Sequence, residues 1–247
     1  YFNDRLKTLG VNIKLNTEVT EPMLTSQNFK HVVLASGVKP RPFDIPGSER
    51  NEVLSYVDVL ENEAEVGDRV AIIGAGGIGF DVADFLSHDS DKSGFAESWG
   101  IDIELESRGG LSQPQRTKSR RKIHLLQRSD GKPGAKLGKT TGWIHRLTLK
   151  DRGVTALGGV SYNKLDDDGL HITHNQKGEI IIPVDNVVVC AGQLSYSPLA
   201  DPLISKGIDV HLIGGAKLAK GLDAQRAIRE GMVLASKLAD RVISQVS

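Results

Sequence analysis

The stretch that most constrains this chain is Arg69–Gly79, R-V-A-I-I-G-A-G-G-I-G. Val70–Ile73 is a short apolar, β-branched run, the pattern of a strand buried on both faces. Gly74, Gly76 and Gly79 follow in G-x-G-x-x-G spacing, and Phe80–Leu86 continues at helical spacing. Strand, glycine turn and helix in that order read as a dinucleotide-binding βα unit. Gly74 allows the tight turn, and Gly76 leaves room for a pyrophosphate to approach the backbone. Gly79 lets the helix pack closely on the strand. The N–H groups of the helix N-terminus, from Ala75 to Gly77 onward, face the phosphates.

The bulk properties narrow the classes further. At 247 residues the chain allows one or two domains, and its zero formal charge argues against nucleic acid or an anionic membrane as partner. No apolar run approaches a membrane span, and nothing at Tyr1 looks like a signal peptide, so a cytoplasmic protein is expected. Cys190 is the single cysteine. That excludes an internal disulfide, a C-x-x-C redox pair and a cysteine-ligated iron–sulfur cluster within the chain.

Taken in order, Phe2–Leu9 reads as a helix and Val11–Leu15 as a short strand, with Glu18–Thr20 ending in a turn at Pro22. Lys30–Gly37 is a strand that ends on small residues and enters a linker punctuated by Pro40, Pro42, Pro46 and Gly47. Val53–Glu65 reads as a helical connection. Ser87–Arg121 reads as a long surface insertion with a short helix at Phe95–Trp99, and Lys122–Gln127 as the second strand of the glycine-rich unit.

A dinucleotide fold usually places an acid about 20 residues past the glycines to bind the ribose 2′-OH. Here Arg128 follows the strand, with Lys132 nearby. An acid would repel a 2′-phosphate, whereas arginine binds one bidentately, so NADPH is the favoured nucleotide. Thr140–Lys150 reads as a helix. Val154–Leu157, Val160–Leu165, Leu170–Thr173 and Glu179–Pro183 read as a four-stranded β-meander. Asp166–Asp168 precedes Gly169 and reads as a solvated turn; no metal site is expected.

Asn186–Gly192, N-V-V-V-C-A-G, echoes His31–Gly37, H-V-V-L-A-S-G. Two such exit strands imply two nucleotide-binding units, yet only one has its glycine loop in this chain. The first βαβ of the other unit is expected ahead of Tyr1. Ile208–Gly215 reads as a last strand and Leu222–Ala239 as a long helix, both returning to that unit.

The chain resembles the C-terminal part of the bacterial NADPH-dependent 2,4-dienoyl-CoA reductase family. That family groups with trimethylamine dehydrogenase and other fused old-yellow-enzyme-like flavoproteins. The resemblance rests on V-A-I-I-G-A-G-G-I-G-F-D at 70–81, G-K-T-T-G-W-I-H-R at 138–146 and D-D-D-G-L-H at 166–171. It is joined by H-L-I-G-G at 211–215 and L-D-A-Q-R-A-I at 222–228.

The resemblance implies an α/β fold, a Rossmann-like three-layer NADPH-binding domain inserted in an incomplete FAD-binding Rossmann-like domain. Residues 1–64 would belong to the FAD domain and linker. Residues 65–192 would form the NADPH domain, with its insertion at 87–121, and 193–247 would return to the FAD domain. The NADPH contacts would fall on Gly74, Ala75, Gly76, Gly77, Gly79, Arg128 and Lys132. The FAD wall would fall on Ala35, Ser36, Gly37, Gly214, Gly215 and Arg226. FMN, a [4Fe-4S] cluster and the residues that act on substrate would lie in an N-terminal TIM barrel of the same polypeptide. Two readings stay open at this point: an electron-input module passing hydride from NADPH to FAD, or a nucleotide-binding docking module without turnover.

Overall fold

The computed structural model describes residues 1–88 and 94–246. Along the chain the elements are α1 (Phe2–Thr8), α2 (Glu21–Thr25), β1 (His31–Leu34), β2 (Val38–Pro40), β3 (Val53–Ser55) and α3 (Tyr56–Leu60). There follow β4 (Arg69–Ile73), α4 (Gly77–Ser87), α5 (Phe95–Trp99), β5 (Lys122–Leu126) and α6 (Gly142–Asp151). Next come β6 (Thr155–Leu157), β7 (Val160–Asp166), β8 (Gly169–His174), β9 (Gly178–Ile182) and β10 (Asn186–Val189). The chain closes with β11 (Gln193–Ser195), α7 (Ala200–Ser205), β12 (Asp209–Leu212), α8 (Gly214–Lys217) and α9 (Ala224–Val246). Two compact units result: Pro40–Gln193, and Tyr1–Lys39 with Leu194–Ser247.

The Pro40–Gln193 unit is built on a five-stranded sheet in the order β3-β10-β4-β5-β6, parallel at every pairing. Its layers follow from residue parity along β4. Val70 and Ile72 face α3, α4 and α6, packing with Phe80, Val82, Leu86 and Leu149. Ala71 and Ile73 face the other way, onto Val160, Leu170 and Ile172 of a separate antiparallel sheet, β7-β8-β9. Residues 70–73 are therefore fully buried on both faces, which is why the run shows no polar alternation. Burying each isoleucine contributes about 1.5–3 kcal/mol. Helices, parallel sheet and antiparallel sheet make three layers, the Rossmann-like arrangement expected.

The second unit is smaller. β1 and β12 pair in parallel, His31 opposite Asp209 through Leu34 opposite Leu212. Val32 and Leu34 pack with Ala200 and Leu203 of α7. Strand β12 and helix α9 fall in the same compact unit as β1.

Several sequence readings are corrected. Val11–Leu15 forms no strand: Val11, Ile13 and Leu15 are exposed, with no partner strand among the described residues. Pro22 marks no turn but sits in the first turn of α2, where its missing N–H costs nothing. Val53–Glu65 is not one helix. Val53–Ser55 joins the parallel sheet beside Val187–Val189, and the helix starts only at Tyr56. The signal was present in the sequence. Ser55 and Asp58 form a capping box, the Ser55 N–H donating to the Asp58 carboxylate and the Asp58 N–H to the Ser55 hydroxyl. The meander has three strands, because β6 pairs with β5 in the parallel sheet. Gly158 and Gly159 part β6 from β7; Gly159 takes φ +68°, a conformation that favours glycine. Of the insertion, residues 89–93 lie outside the described residues; α5 forms where the sequence suggested.

Candidate functional site

The glycine turn leaves β4 at the carboxyl edge of the sheet. Gly74 holds φ +107°, and a Cβ there would come within 2.7 Å of the Cys190 carbonyl oxygen on β10's exit. Its N–H donates to the Leu126 carbonyl, 2.8 Å. A Cβ on Gly79 would stand 1.8 Å from the Gly74 carbonyl oxygen. So Gly74 and Gly79 are small because backbone lies against them. Gly76 and Gly77 differ: a Cβ on either would meet nothing within 4 Å, and both are exposed. Ala75 turns inward and is buried in the helix-side core.

Helix α4 begins at Gly77 with Gly76 as its cap residue and no side chain capping it. The first intrahelical bond of the turn runs from the Phe80 N–H to the Gly76 carbonyl. The N–H groups of Gly77, Ile78 and Gly79 thus precede the helical ladder. An uncapped N-terminus over an open, side-chain-free surface is a cradle for an anion, with the helix dipole favouring negative charge.

Parallel register brings the next strand's end to the same edge. Ile73 pairs with Leu126, so Arg128 leaves β5 beside the turn that leaves β4. Arg128 is exposed and makes no ion pair or side-chain hydrogen bond among the described residues. Lys132 is also exposed, in the turn after it. The turn after β4 and the exit of β5 thus share the carboxyl edge of a parallel sheet, the edge at which open α/β sheets bind ligands.

In the other unit, Ala35, Gly37, Ile213, Gly214, Gly215 and Ala227 line an open concavity of about 420 Å³. Gly37 and Gly214 hold φ +78° and +58°. Gly215 is small for packing, since a Cβ would stand 2.7 Å from Val38 Cγ1. Ser36 donates its hydroxyl to the Tyr196 carbonyl and is not among the lining residues. Arg226 is turned to carbonyls: its guanidinium donates to Leu218 and Lys220. A residue the sequence reading missed is Glu230, whose carboxylate accepts the Gly214 N–H at 2.8 Å. A carboxylate one helix turn past Arg226 is the only sequence trace it leaves.

Two further groups bear on the chemistry. Burial, aided by the charge of Asp81, pushes the Cys190 thiol up to about 12, so it is an inert packing residue rather than a nucleophile. At the Asp166–Asp168 turn, Lys164 and His171 bond the Asp166 carboxylate and hold it well below the usual carboxylate range. The turn is an ion-paired β7–β8 corner.

A family model described as pyridine nucleotide-disulphide oxidoreductase matches residues 23–210. The chain is 28% identical over 237 residues to a metal reductase of Desulforamulus reducens, covering 91% of this chain and 34% of that protein. It is 23% identical over 238 residues to a bilirubin reductase of Mediterraneibacter gnavus, covering 96% and 32%. Its fold matches 2-naphthoyl-CoA reductase with a TM-score of 0.73 at 23% identity, over 94% of this chain and 30% of that one. The chain spans about a third of the length of the curated relatives it matches.

Proposed function

Because the chain belongs to the pyridine nucleotide-disulphide oxidoreductase family, we propose that its Pro40–Gln193 unit binds NADPH at the Gly74–Gly79 turn. In this reading the Tyr1–Lys39 and Leu194–Ser247 unit contributes part of an FAD site, and the chain is the electron-input module of a fused flavoprotein of the 2,4-dienoyl-CoA reductase type. The observation that carries the reading is the uncapped, open start of α4 beside an Arg128 that is unpaired among the described residues.

The residues have separate tasks. The Gly77, Ile78 and Gly79 N–H groups bind the pyrophosphate, and Gly76 lets it approach. Arg128 recognises the 2′-phosphate through two parallel hydrogen bonds, with Lys132 adding charge. Gly74 and Gly79 hold the turn on the sheet. Ala35, Gly37 and Gly215 shape the concavity that takes the FAD phosphate chain, Ser36 and Arg226 fix the loops around it, and Gly214 sets the bend after β12. When bound, NADPH supplies a hydride and FAD accepts it; the chain supplies position and electrostatics. The only cysteine is buried with its thiol protonated, so dithiol chemistry has no place in this chain despite the family's name. Relatives about three times as long fit a further part of the polypeptide, a TIM barrel with FMN and a [4Fe-4S] cluster acting on an enoyl-CoA in the cytoplasm.

Anaerobic mixing of the full-length flavoprotein with NADPH tests this. Bleaching of the flavin absorbance is the expected result, with Gly76→Ala needing about tenfold more NADPH for the same effect. Nucleotide binding with no flavin reduction would leave the docking-module reading instead.

A further inference from the structure

A second cluster of donor atoms lies on the smaller unit, on strands β1 and β12. His31 and Asp209 are direct cross-strand partners, and His211 stands two residues along β12 on the same face. Three atoms converge there: His31 Nδ1, His211 Nε2 and Asp209 Oδ2. Nδ1 of His31 lies 3.1 Å from the Asp209 oxygen, Nε2 of His211 lies 3.4 Å from it, and the two nitrogens are 3.4 Å apart.

These edges have a chemical meaning. A tetrahedral zinc ion with bonds of about 2.0–2.2 Å holds its ligand atoms about 3.3–3.6 Å apart. The observed triangle is close to one face of that tetrahedron. Hydrogen bonds serve the triangle only pairwise, the Asp209 oxygen lying 3.1 Å from one imidazole nitrogen and 3.4 Å from the other. A divalent cation meets all three. The donor types, two imidazoles and one carboxylate with no thiolate, suit zinc among the borderline cations. The side chains are graded in exposure, His211 at 17%, His31 at 33% and Asp209 at 48%, which leaves an entry path and a fourth position for water.

We propose that His31, Asp209 and His211 form a zinc site that clips β1 to β12. Its consequence is mechanical. β1 runs into Ala35–Gly37 and β12 into Gly214–Gly215, so a clip at the strand starts fixes the register of both walls of the concavity.

The test is zinc titration of the purified full-length protein after chelation, read by calorimetry and metal analysis. The wild type takes one equivalent more than the Asp209→Asn/His211→Gln double variant, and its thermal unfolding midpoint rises with zinc while that of the variant does not. Equal zinc uptake by the two proteins would overturn the proposal. Cobalt(II) added to the wild type gives a second readout that needs no variant. An intense visible band, removed by zinc, is expected from tetrahedral nitrogen and oxygen ligation, whereas a weak octahedral spectrum would overturn the assignment even should the variants fail to fold.

Discussion

The two exit strands carry nearly the same sequence and meet opposite surroundings. Asn186–Val189 lies between β3 and β4, and Val187, Val188 and Val189 are all buried. His31–Leu34 pairs with β12 alone among the described residues, and Val33 is 43% exposed. The next residue repeats the contrast: Cys190 is buried, while Ala35, its counterpart, is exposed. A β-branched run ending in small residues therefore specifies a strand and its exit, but its neighbours decide how many faces are covered. The glycines after the two strands differ in the same way. At α4 the leading N–H groups are open, whereas at β12 the Gly214 N–H is taken by Glu230.

The largest effect that could break this contrast is at Gly79. Gly79→Ala sets a Cβ against the Gly74 backbone, which cannot swing aside, and is expected to cost about 2–3 kcal/mol in urea unfolding. Gly76→Ala meets open space at φ −86°. It should leave stability within about 0.5 kcal/mol yet weaken NADPH roughly tenfold, about 1.4 kcal/mol. Equal behaviour of the two variants would remove the distinction between packing glycines and cradle glycines.

Cys190 gives the next effect, in pH. Its folded value is raised, so the stability it contributes is complete below the ordinary thiol value of 9.0 and is lost as pH rises toward about 12. The loss approaches about 1.4 kcal/mol per pH unit in that window. Cys190→Ala should flatten it, as followed by denaturant midpoints from neutral to alkaline pH.

Much of the fold was legible because its signals are local. Val70–Ile73 with three spaced glycines gave strand, turn and helix without any tertiary knowledge, and the repeat of the exit strand gave two units. The misses share a different cause. Val11–Leu15 alternates like a strand, but a ladder needs a partner, which periodicity does not report. Thr155–Leu157 has the same composition as the meander strands, and only the Gly158–Gly159 break sends it to the other sheet. At the candidate sites, the glycines and Arg128 were readable from spacing. Glu230 was not, since its contact with Gly214 spans a loop and a helix turn, and the His31–Asp209–His211 cluster depends on a register of strands 178 residues apart.

Smaller effects sharpen the comparison. Glu230→Gln keeps an acceptor for Gly214 and removes a charge. It should tighten FAD by about twofold to fivefold in equilibrium dialysis, the worth of a partly exposed like charge of about 0.5–1 kcal/mol; unchanged affinity would show that the phosphate chain runs elsewhere. Smallest is the Arg69–Asp185 pair beside β4. Arg69 donates to the Asp185 carboxylate from its guanidinium and its backbone N–H, which lowers the Asp185 value. That contribution is present above the ordinary carboxylate range and lost as pH falls through the lowered one. Both groups are partly exposed, so Asp185→Asn should cost under about 1 kcal/mol at neutral pH, and wild type and variant should converge in acid-unfolding curves.

The central claim is that the edge shared by β4 and β5 reads a 2′-phosphate. The dissociation constants of NADPH and NADH for the wild type and Arg128→Ala, at one ionic strength, test it most directly. The account predicts that the variant loses about tenfold to a hundredfold in NADPH affinity, the worth of charged hydrogen bonds at about 1.5–3 kcal/mol, while NADH is unchanged. Equal losses for the two nucleotides, or none for either, would contradict it.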